Sequence, residues 1–265
     1  MTTQIISDCA AELAEAYRTR RAITPIAERF PELTIDDAYR IQQLQVQSWI
    51  DDGAAVRGHK VGLSSRAMQR QLGVDRPDFG HLLNTMFYPD GGRVPAGTFI
   101  APRVEAEIAL ILGSDLSGPG ITPAEALGAI AWVTPALELI DSRIADWRIG
   151  IVDTVADNAS SGGVVLGSQR VPVEQVDLRG IGGTLRVGGA LVDTGAGGAV
   201  LGSPVNALVW LANVMGEHGV TLRAGEVILP GSVTAAHAVG PGDVAVATFD
   251  RIGSATVRFV GEESE

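Results

Sequence analysis

Glu105-Ala106-Glu107-Ile108-Ala109-Leu110-Ile111-Leu112 decides how the rest of the chain is read. An aliphatic run of this length predicts a strand. Side chains two apart in a strand share a face, so Glu105 and Glu107 project together and Ala109 and Ile111 continue that face. Two carboxylates beside apolar neighbours repel each other and lose hydration unless something positive lies between them. A divalent cation is the simplest candidate. A solvent-facing strand edge, where charges are common, is the other reading.

Further short apolar runs, separated by Gly, Pro, Asp and Asn, predict strands at 59–63, 136–140, 163–166, 183–187, 226–229, 243–249 and 255–260. The last two are joined through Gly253 by a hairpin-like connection. Helical signals dominate the start of the chain. A first helix is expected over 5–21. Thr34 and Asp37 form a capping-box pattern before Ala38, Ile41 and Leu44, with Gly53 as the stop. Thr122-Pro123-Ala124-Glu125 opens another helix, running to about Trp132. The stretch 206–218 carries Leu208, Leu211 and Met215 on one face, as core packing. The predicted fold is α+β: a mixed-sheet roll or sandwich with flanking helices, divided into a helical N-terminal region, 1–55, packed on a mixed-sheet unit, 56–265.

The 265 residues carry a formal net charge of −11, with 46% hydrophobic and 19% charged residues. That is a globular composition, and the acidic balance argues against a nucleic-acid partner or a polybasic membrane anchor. One cysteine, Cys9, excludes an internal disulfide and a thiolate zinc cluster. No run of about 18 unbroken apolar residues exists, and residues 1–20 lack a signal-peptide pattern. The expectation is a soluble, cytoplasmic protein. Glycine, at 33 residues, is well above the usual ~7%, which implies many turns and close backbone approaches.

Of the 20 Lys and Arg residues only Lys60 is a lysine. Either it does what arginine cannot, such as giving up a proton or presenting a compact ammonium, or it is the chance survivor of a compositional bias. It sits in Gly58-His59-Lys60-Val61-Gly62-Leu63, where glycines allow close approach. His59 falls on the opposite face, as packing or surface. Glu138 is the single acid of the apolar run Ala136-Leu137-Glu138-Leu139-Ile140, and can complete a three-carboxylate site. Oxygen-only ligation favours Mg²⁺ or Mn²⁺, possible also for Ca²⁺; the scattered His59, His81, His218 and His237 argue against zinc or copper. Asp141 and Arg143 can pair locally. The polar loop 73–80 offers Asp78 as a general acid or base, or as an ordinary turn residue. A second polar loop, 153–163, can aim hydroxyls and N–H groups at an anion. No nucleophile elbow, phosphate-binding loop or dinucleotide fingerprint is present.

Taken in order, Gly58 to Leu63, Leu72-Gly73-Val74-Asp75 with Pro77-Asp78-Phe79-Gly80, Pro102-Arg103-Val104-Glu105-Ala106-Glu107, Glu138-Leu139-Ile140-Asp141-Ser142-Arg143 and Asp153 to Ser160 resemble the 2-hydroxypenta-2,4-dienoate (2-keto-4-pentenoate) hydratases. These belong to the fumarylacetoacetate hydrolase superfamily. The resemblance spans nearly the whole chain. It implies the fold of that superfamily's C-terminal domain, a Mg²⁺ or Mn²⁺ held by Glu105, Glu107 and Glu138, and a substrate pocket lined by Lys60, Asp78 and Ser160. It implies water addition at C4 of a 2-hydroxydienoate, giving 4-hydroxy-2-oxopentanoate or a longer homologue, in meta-cleavage catabolism of aromatic compounds. The cation would chelate the substrate's C1 carboxylate and C2 oxygen. The alternatives are a 2-oxo-3-hexenedioate (4-oxalocrotonate) decarboxylase on the same site, then an acylpyruvate hydrolase, for which a catalytic His–Glu pair near the first helix is missing. A non-catalytic 2-oxo-acid-binding scaffold is the reading from a different class. The resemblance also implies a homo-oligomer, pentamer or decamer, and a decarboxylase or aldolase partner.

Overall fold

The computed structural model describes residues 2–65, 69–70 and 73–261. Leu72, which opens one of the motifs above, lies outside the described residues. Two sheets form the centre. The larger has strand order β2 (Asp78–Leu83), β1 (Val56–Gly62), β11 (Val227–Leu229), β5 (Arg103–Leu112), β6 (Ile130–Ile140), β7 (Ser161–Leu166), β3 (Phe87–Tyr88). Two short strands, β8 (Val171–Pro172) and β12 (His237–Ala238), pair with β6 and β5. The smaller sheet runs β10 (Ala190–Ala196), β9 (Gly182–Val187), β13 (Val244–Phe249), β14 (Gly253–Val260), β4 (Gly92–Pro95). Parallel and antiparallel pairs coexist in both, as in β1 with β11 and β14 with β4.

The period-2 alternation of β5 and β6 sorts their side chains. Ala106, Ile108 and Leu110 join Val133, Leu137 and Leu139 on the face covered by the smaller sheet, where Ala245, Ala247, Phe249, Val257 and Phe259 complete the main core. The other face carries Glu105, Glu107 and Glu138. Beside them Ala109, Ala136, Val164, Val227 and Leu229 form a separate apolar cluster. One sheet therefore presents a packed face to its partner and an acid-bearing face to something else.

Both capping boxes expected from sequence are present. Thr34 opens α3 (Ile35–Asp51) with Asp37, and Thr122 opens α4 (Pro123–Ala129) with Glu125. The first helix, α1 (Thr2–Thr19), lies slightly upstream of its predicted span, and a short α2 (Ile26–Arg29) follows. The helix after Thr122 stops at Ala129 instead of Trp132, because Ile130 onward pairs with β5 and feeds an eleven-residue strand. The polar stretch 73–80 is a loop only in part: from Asp78 it is β2, paired antiparallel with β1. The stretch 153–163 is not a loop. It holds the end of α5 (Ile151–Ala156), a tight turn at Asn158–Ser160 and the start of β7.

The N-terminal helices pack on α5. Ile6, Cys9, Ala10 and Leu13 meet Ile26, Ala38 and Ile41 around Val152, Val155 and Ala156. Two buried glutamines of α3 finish the joint. Gln42 Nε2 donates to the Val155 and Phe79 carbonyls at 2.8 and 3.0 Å, and Gln45 Nε2 to the Ala156 carbonyl at 2.8 Å. The Val155 and Ala156 carbonyls are at the open end of a short helix, where they need outside donors. Asp153 ties the other end: Oδ1 accepts from Ile26 N at 2.6 Å, and Oδ2 from Gly150 N at 2.9 Å.

The span Gly197–Glu217 is long and apolar enough to cross a bilayer by composition. Its α-helical part, α6 (Pro204–Glu217), has 14 residues, about 21 Å at 1.5 Å per residue, and is shorter than a hydrocarbon core of ~30 Å. Ala207, Leu208, Leu211, Ala212 and Met215 are buried in the main cluster, so this is a core helix.

Candidate metal centre and the residues around it

The β5–β6 register sets Glu105 directly opposite Glu138, with Glu107 two residues along on the same face. One carboxylate oxygen from each lies within 4.8 Å of the others. Glu107 and Glu138 are 0% and 1% exposed, and Glu105 is half-buried. Strand β5 is interior to the sheet, which removes the solvent-facing-edge reading. Glu107 Oε2 accepts a hydrogen bond from Gly231 N at 3.0 Å, whereas Glu107 Oε1 and Glu138 Oε2 have no hydrogen-bond partner. Burial, reinforced by Glu138, pushes the Glu105 carboxyl up to about 7. Burial, then Glu138 and Glu105, pushes Glu107 well above the usual range. Glu138 is also raised by burial, against the opposing pull of Lys60. Three converging carboxylates, two of them fully buried with orphaned oxygens, form a site that protons or a cation must complete. An all-oxygen donor set suits a hard divalent ion.

Lys60 is 4% exposed, in the middle of β1. Its Nζ donates to the Ala159 carbonyl at 2.8 Å and lies 3.3 Å from Glu138 Oε1. Burial works against its charge, but Glu138, Asp78, Glu105 and Glu107 outweigh it and push the pKa up, so the group is an ammonium. The glycines beside it have the role expected. A Cβ on Gly62 would meet Asp78 Oδ1 at 2.2 Å and Lys60 Nζ at 3.5 Å, so a side chain there would close the gap between acid and base. Asp78 is 1% exposed; its Oδ2 accepts from Thr154 Oγ1 at 3.3 Å, and Oδ1 has no partner. Burial raises its pKa and Lys60 opposes.

Ser160 is also buried, and its Oγ is unpartnered. Of the six residues expected from sequence and resemblance, the structure brings the carboxylate trio together and sets Lys60 on Glu138; Asp78 and Lys60 both lie close to the bare face of Gly62, and Ser160 follows Ala159, whose carbonyl holds Lys60. The sequence missed Thr154 and Gly231, which fix Asp78 and Glu107. A threonine in a helix and a backbone N–H have no sequence signature for such a task.

One reading is narrowed and another corrected. His59 lies on the opposite face from Lys60 but is packing, not surface: it is 3% exposed, 5.0 Å from the His81 ring and 3.7 Å from Glu226. Arg143 does not pair chiefly with Asp141. Its Nε is 2.6 Å from Asp157 Oδ1, while Asp141 lies 3.7 Å from it and accepts N–H groups of Ile100 and Ala101 instead. Cavities of about 430 Å³ beside Tyr17 and Trp49, and about 680 Å³ beside Leu44 and His218, are lined by none of the six residues. Converging side chains, not cavity size, mark the chemistry here.

A two-sheet α+β fold with acids and a lysine on one face of the larger sheet, and a buried hydroxyl in the adjoining turn, defines a carboxylate-centred enzyme. The chain belongs to the fumarylacetoacetate (FAA) hydrolase C-terminal family, whose profile matches residues 49–260. It is 46% identical over 259 residues to a 2-keto-4-pentenoate hydratase of Paraburkholderia xenovorans (strain LB400), covering 98% of this chain and 96% of that one. It is 40% identical to a 2-hydroxyhexa-2,4-dienoate hydratase of Comamonas testosteroni, covering 97% and 98%. Among solved structures it superposes with a TM-score of 0.94, at 36% identity and 98% coverage of both chains, on a 4-oxalocrotonate decarboxylase from Pseudomonas putida G7 complexed with magnesium and adipate.

Proposed function

We propose that this protein is a metal-dependent hydratase, a lyase, that adds water to C4 of 2-hydroxypenta-2,4-dienoate or a close homologue and yields the 4-hydroxy-2-oxo acid. The observation that carries the reading is the convergence of Glu105, Glu107 and Glu138 within 4.8 Å, in a chain 46% identical to a 2-keto-4-pentenoate hydratase. The three converging glutamates would hold Mg²⁺ or Mn²⁺, Glu107 and Glu138 through oxygens that have no hydrogen-bond partner. A divalent ion bound there supplies Lewis-acid polarisation of a 2-oxo acid's carboxylate and C2 oxygen.

The remaining roles fall to this chain's own side chains. The Lys60 ammonium, the one cation against Glu138 among the described contacts, binds a substrate oxygen anion. Asp78, raised by burial and with Oδ1 free beside Lys60, holds and delivers a proton. Ser160 Oγ donates to a substrate oxygen. The proton balance is simple. The 2-hydroxyl loses a proton while C5 gains one, giving the conjugated 2-oxo-3-enoate. Water then bonds through oxygen to C4, and its other proton goes to C3.

The test is product analysis in H₂¹⁸O with Mg²⁺. Label at C4, lost with a chelator and restored by Mg²⁺ or Mn²⁺, is the expected result. The fold neighbour at TM-score 0.94 keeps decarboxylation as a second reading. Release of CO₂ from 4-oxalocrotonate without a hydrated product would replace the first reading with the second. Ligand binding that is indifferent to metal, with no turnover, would favour a scaffold over either. The cytoplasmic location, the pentameric or decameric assembly, the decarboxylase or aldolase partner and the division at residues 55–56 belong to this proposal too. The packing of α1 and α3 on α5 supports the last.

Protons and cation compete for the same oxygens, which sets a pH dependence. A carboxyl raised from 4.5 to about 7 in the folded chain, as Glu105 is, stabilises the metal-free protein at low pH. That contribution is lost as pH rises from 4.5 through about 7. Cation binding needs the ionised form. Saturating Mg²⁺ should therefore raise Tm by about 5 °C at pH 8 and by less than about half of that at pH 5.5. Differential scanning calorimetry checks it; an equal rise at both pH values would contradict a site built from raised carboxyls.

A further inference from the structure

We infer that Asp157, Arg143 and Asn158 are positioning residues that hold a strained three-residue turn in the one conformation that presents Lys60 and Ser160 to the substrate. The inference rests on the reading of those two side chains as substrate-facing. Its core observation is backbone geometry: Asn158, Ala159 and Ser160 have φ of 50°, 50° and 56°. Single non-glycine residues visit this left-handed region occasionally, and three in succession without a glycine persist only where the surroundings over-determine them.

The surroundings do so from three sides. Arg143 grips Asp157 three times: its backbone N donates to Oδ2 at 2.9 Å, Nε to Oδ1 at 2.6 Å and Nη2 to the carbonyl at 3.1 Å. The same Asp157 carbonyl also accepts from Ser160 N at 2.9 Å, which closes the turn. The Arg143 guanidinium stacks 4.0 Å over the Tyr17 ring, so α1 backs the clamp. On the second side Asn158 mimics a strand partner for β2: Oδ1 accepts from His81 N at 2.8 Å and Nδ2 donates to His81 O at 3.0 Å. Gly80 makes room, since a Cβ there would lie 2.4 Å from the Asn158 carbonyl. On the third side Asp141 N donates to Ser160 O at 3.0 Å, joining the turn to the end of β6. Asp157 and Asn158 are 0% exposed and Arg143 1%.

The turn's output points the other way. Its Ala159 carbonyl takes the Lys60 ammonium, and its Ser160 hydroxyl has no protein partner. Relaxing any of the three φ angles would swing that carbonyl away and release Lys60 onto Glu138 alone. The glutamate trio sits on β5 and β6 and keeps its geometry.

The experiment compares Asp157→Asn, Asn158→Ala and Asn158→Gly with the wild type, by steady-state hydration kinetics and by hydrogen exchange of the metal-free protein at the amides of Asp141 and Ser160. Asp157→Asn and Asn158→Ala are expected to lower kcat about tenfold or more with KM within about threefold, while both amides exchange about tenfold faster. Asn158→Gly loses the same side-chain bonds as Asn158→Ala but adopts the left-handed region freely, so it should recover kcat about threefold over the alanine variant. A difference between Gly and Ala in that direction is not expected of a merely structural side chain. If Asp157→Asn fails to fold, the Asn158 pair decides alone. Active enzyme whose kcat is unchanged while the amides lose protection overturns the positioning role. So does Asn158→Gly no better than Asn158→Ala. A wild type that turns over no dienoate or oxalocrotonate overturns the functional reading, and this inference with it, whatever the exchange shows.

Discussion

Glu107→Gln lowers metal-dependent turnover by about three orders of magnitude and leaves the fold intact. The size follows from the several kcal/mol that a Lewis-acid ion contributes to a developing anion, at about 1.4 kcal/mol per factor of ten. The survival of the fold follows from the surroundings. The amide oxygen of glutamine can still accept from Gly231 N, the bond that Glu107 Oε2 makes at 3.0 Å. The substitution also removes one of three mutually repelling buried acids, so the metal-free Tm should stay level or rise. The Mg²⁺-induced rise in Tm should disappear. Turnover, and melting curves with and without Mg²⁺, check both halves. Full activity in this variant would break the assignment of Glu107 as a ligand. Loss of structure would contradict the expectation that the fold survives without this carboxylate's charge.

Lys60→Arg is the second large effect. It keeps the positive charge and should still reduce kcat by about a hundredfold, the loss associated with misplacing a group by about 1 Å. The ammonium fits between Ala159 O at 2.8 Å and Glu138 Oε1 at 3.3 Å, against the bare face of Gly62. A planar guanidinium is longer and wider and cannot share a compact contact with both acceptors. Steady-state kinetics decides. Wild-type rates would return the chain's single lysine to compositional accident.

Much of the candidate site was legible because strands write it plainly. Glu105 and Glu107 share a face by alternation, and Glu138 stands out as the lone acid in an apolar run. The capping boxes at Thr34 and Thr122 were equally direct, since each is a contact between residues three apart. The misplaced elements failed for a common reason. Strand β2 begins in a polar, glycine-ended stretch, and α5 is six residues long with Asp153, Asp157 and Asn158 around it. Locally those residues favour turns. They become strand and helix because β1 supplies a ladder and the N-terminal helices supply Gln42 and Gln45 as outside donors. The helix after Thr122 was read too long for the converse reason: Ile130 to Trp132 suits a helix or a strand, and β5 decides.

Local order along the chain was thus enough to place the capped starts of the helices after Thr34 and Thr122, the inner strands, the acid-bearing face and the family resemblance, because each depends on neighbours within a few residues. Contacts across long separations were decided in three dimensions: that Glu105 faces Glu138, that Lys60 meets the Ala159 carbonyl, that Thr154 holds Asp78 and that Arg143 chooses Asp157 over Asp141. The physical reason is that a carboxylate's neighbours in space set its charge and its partners. Sequence spacing orients a side chain on its own element, and only the packing of elements determines what it meets there.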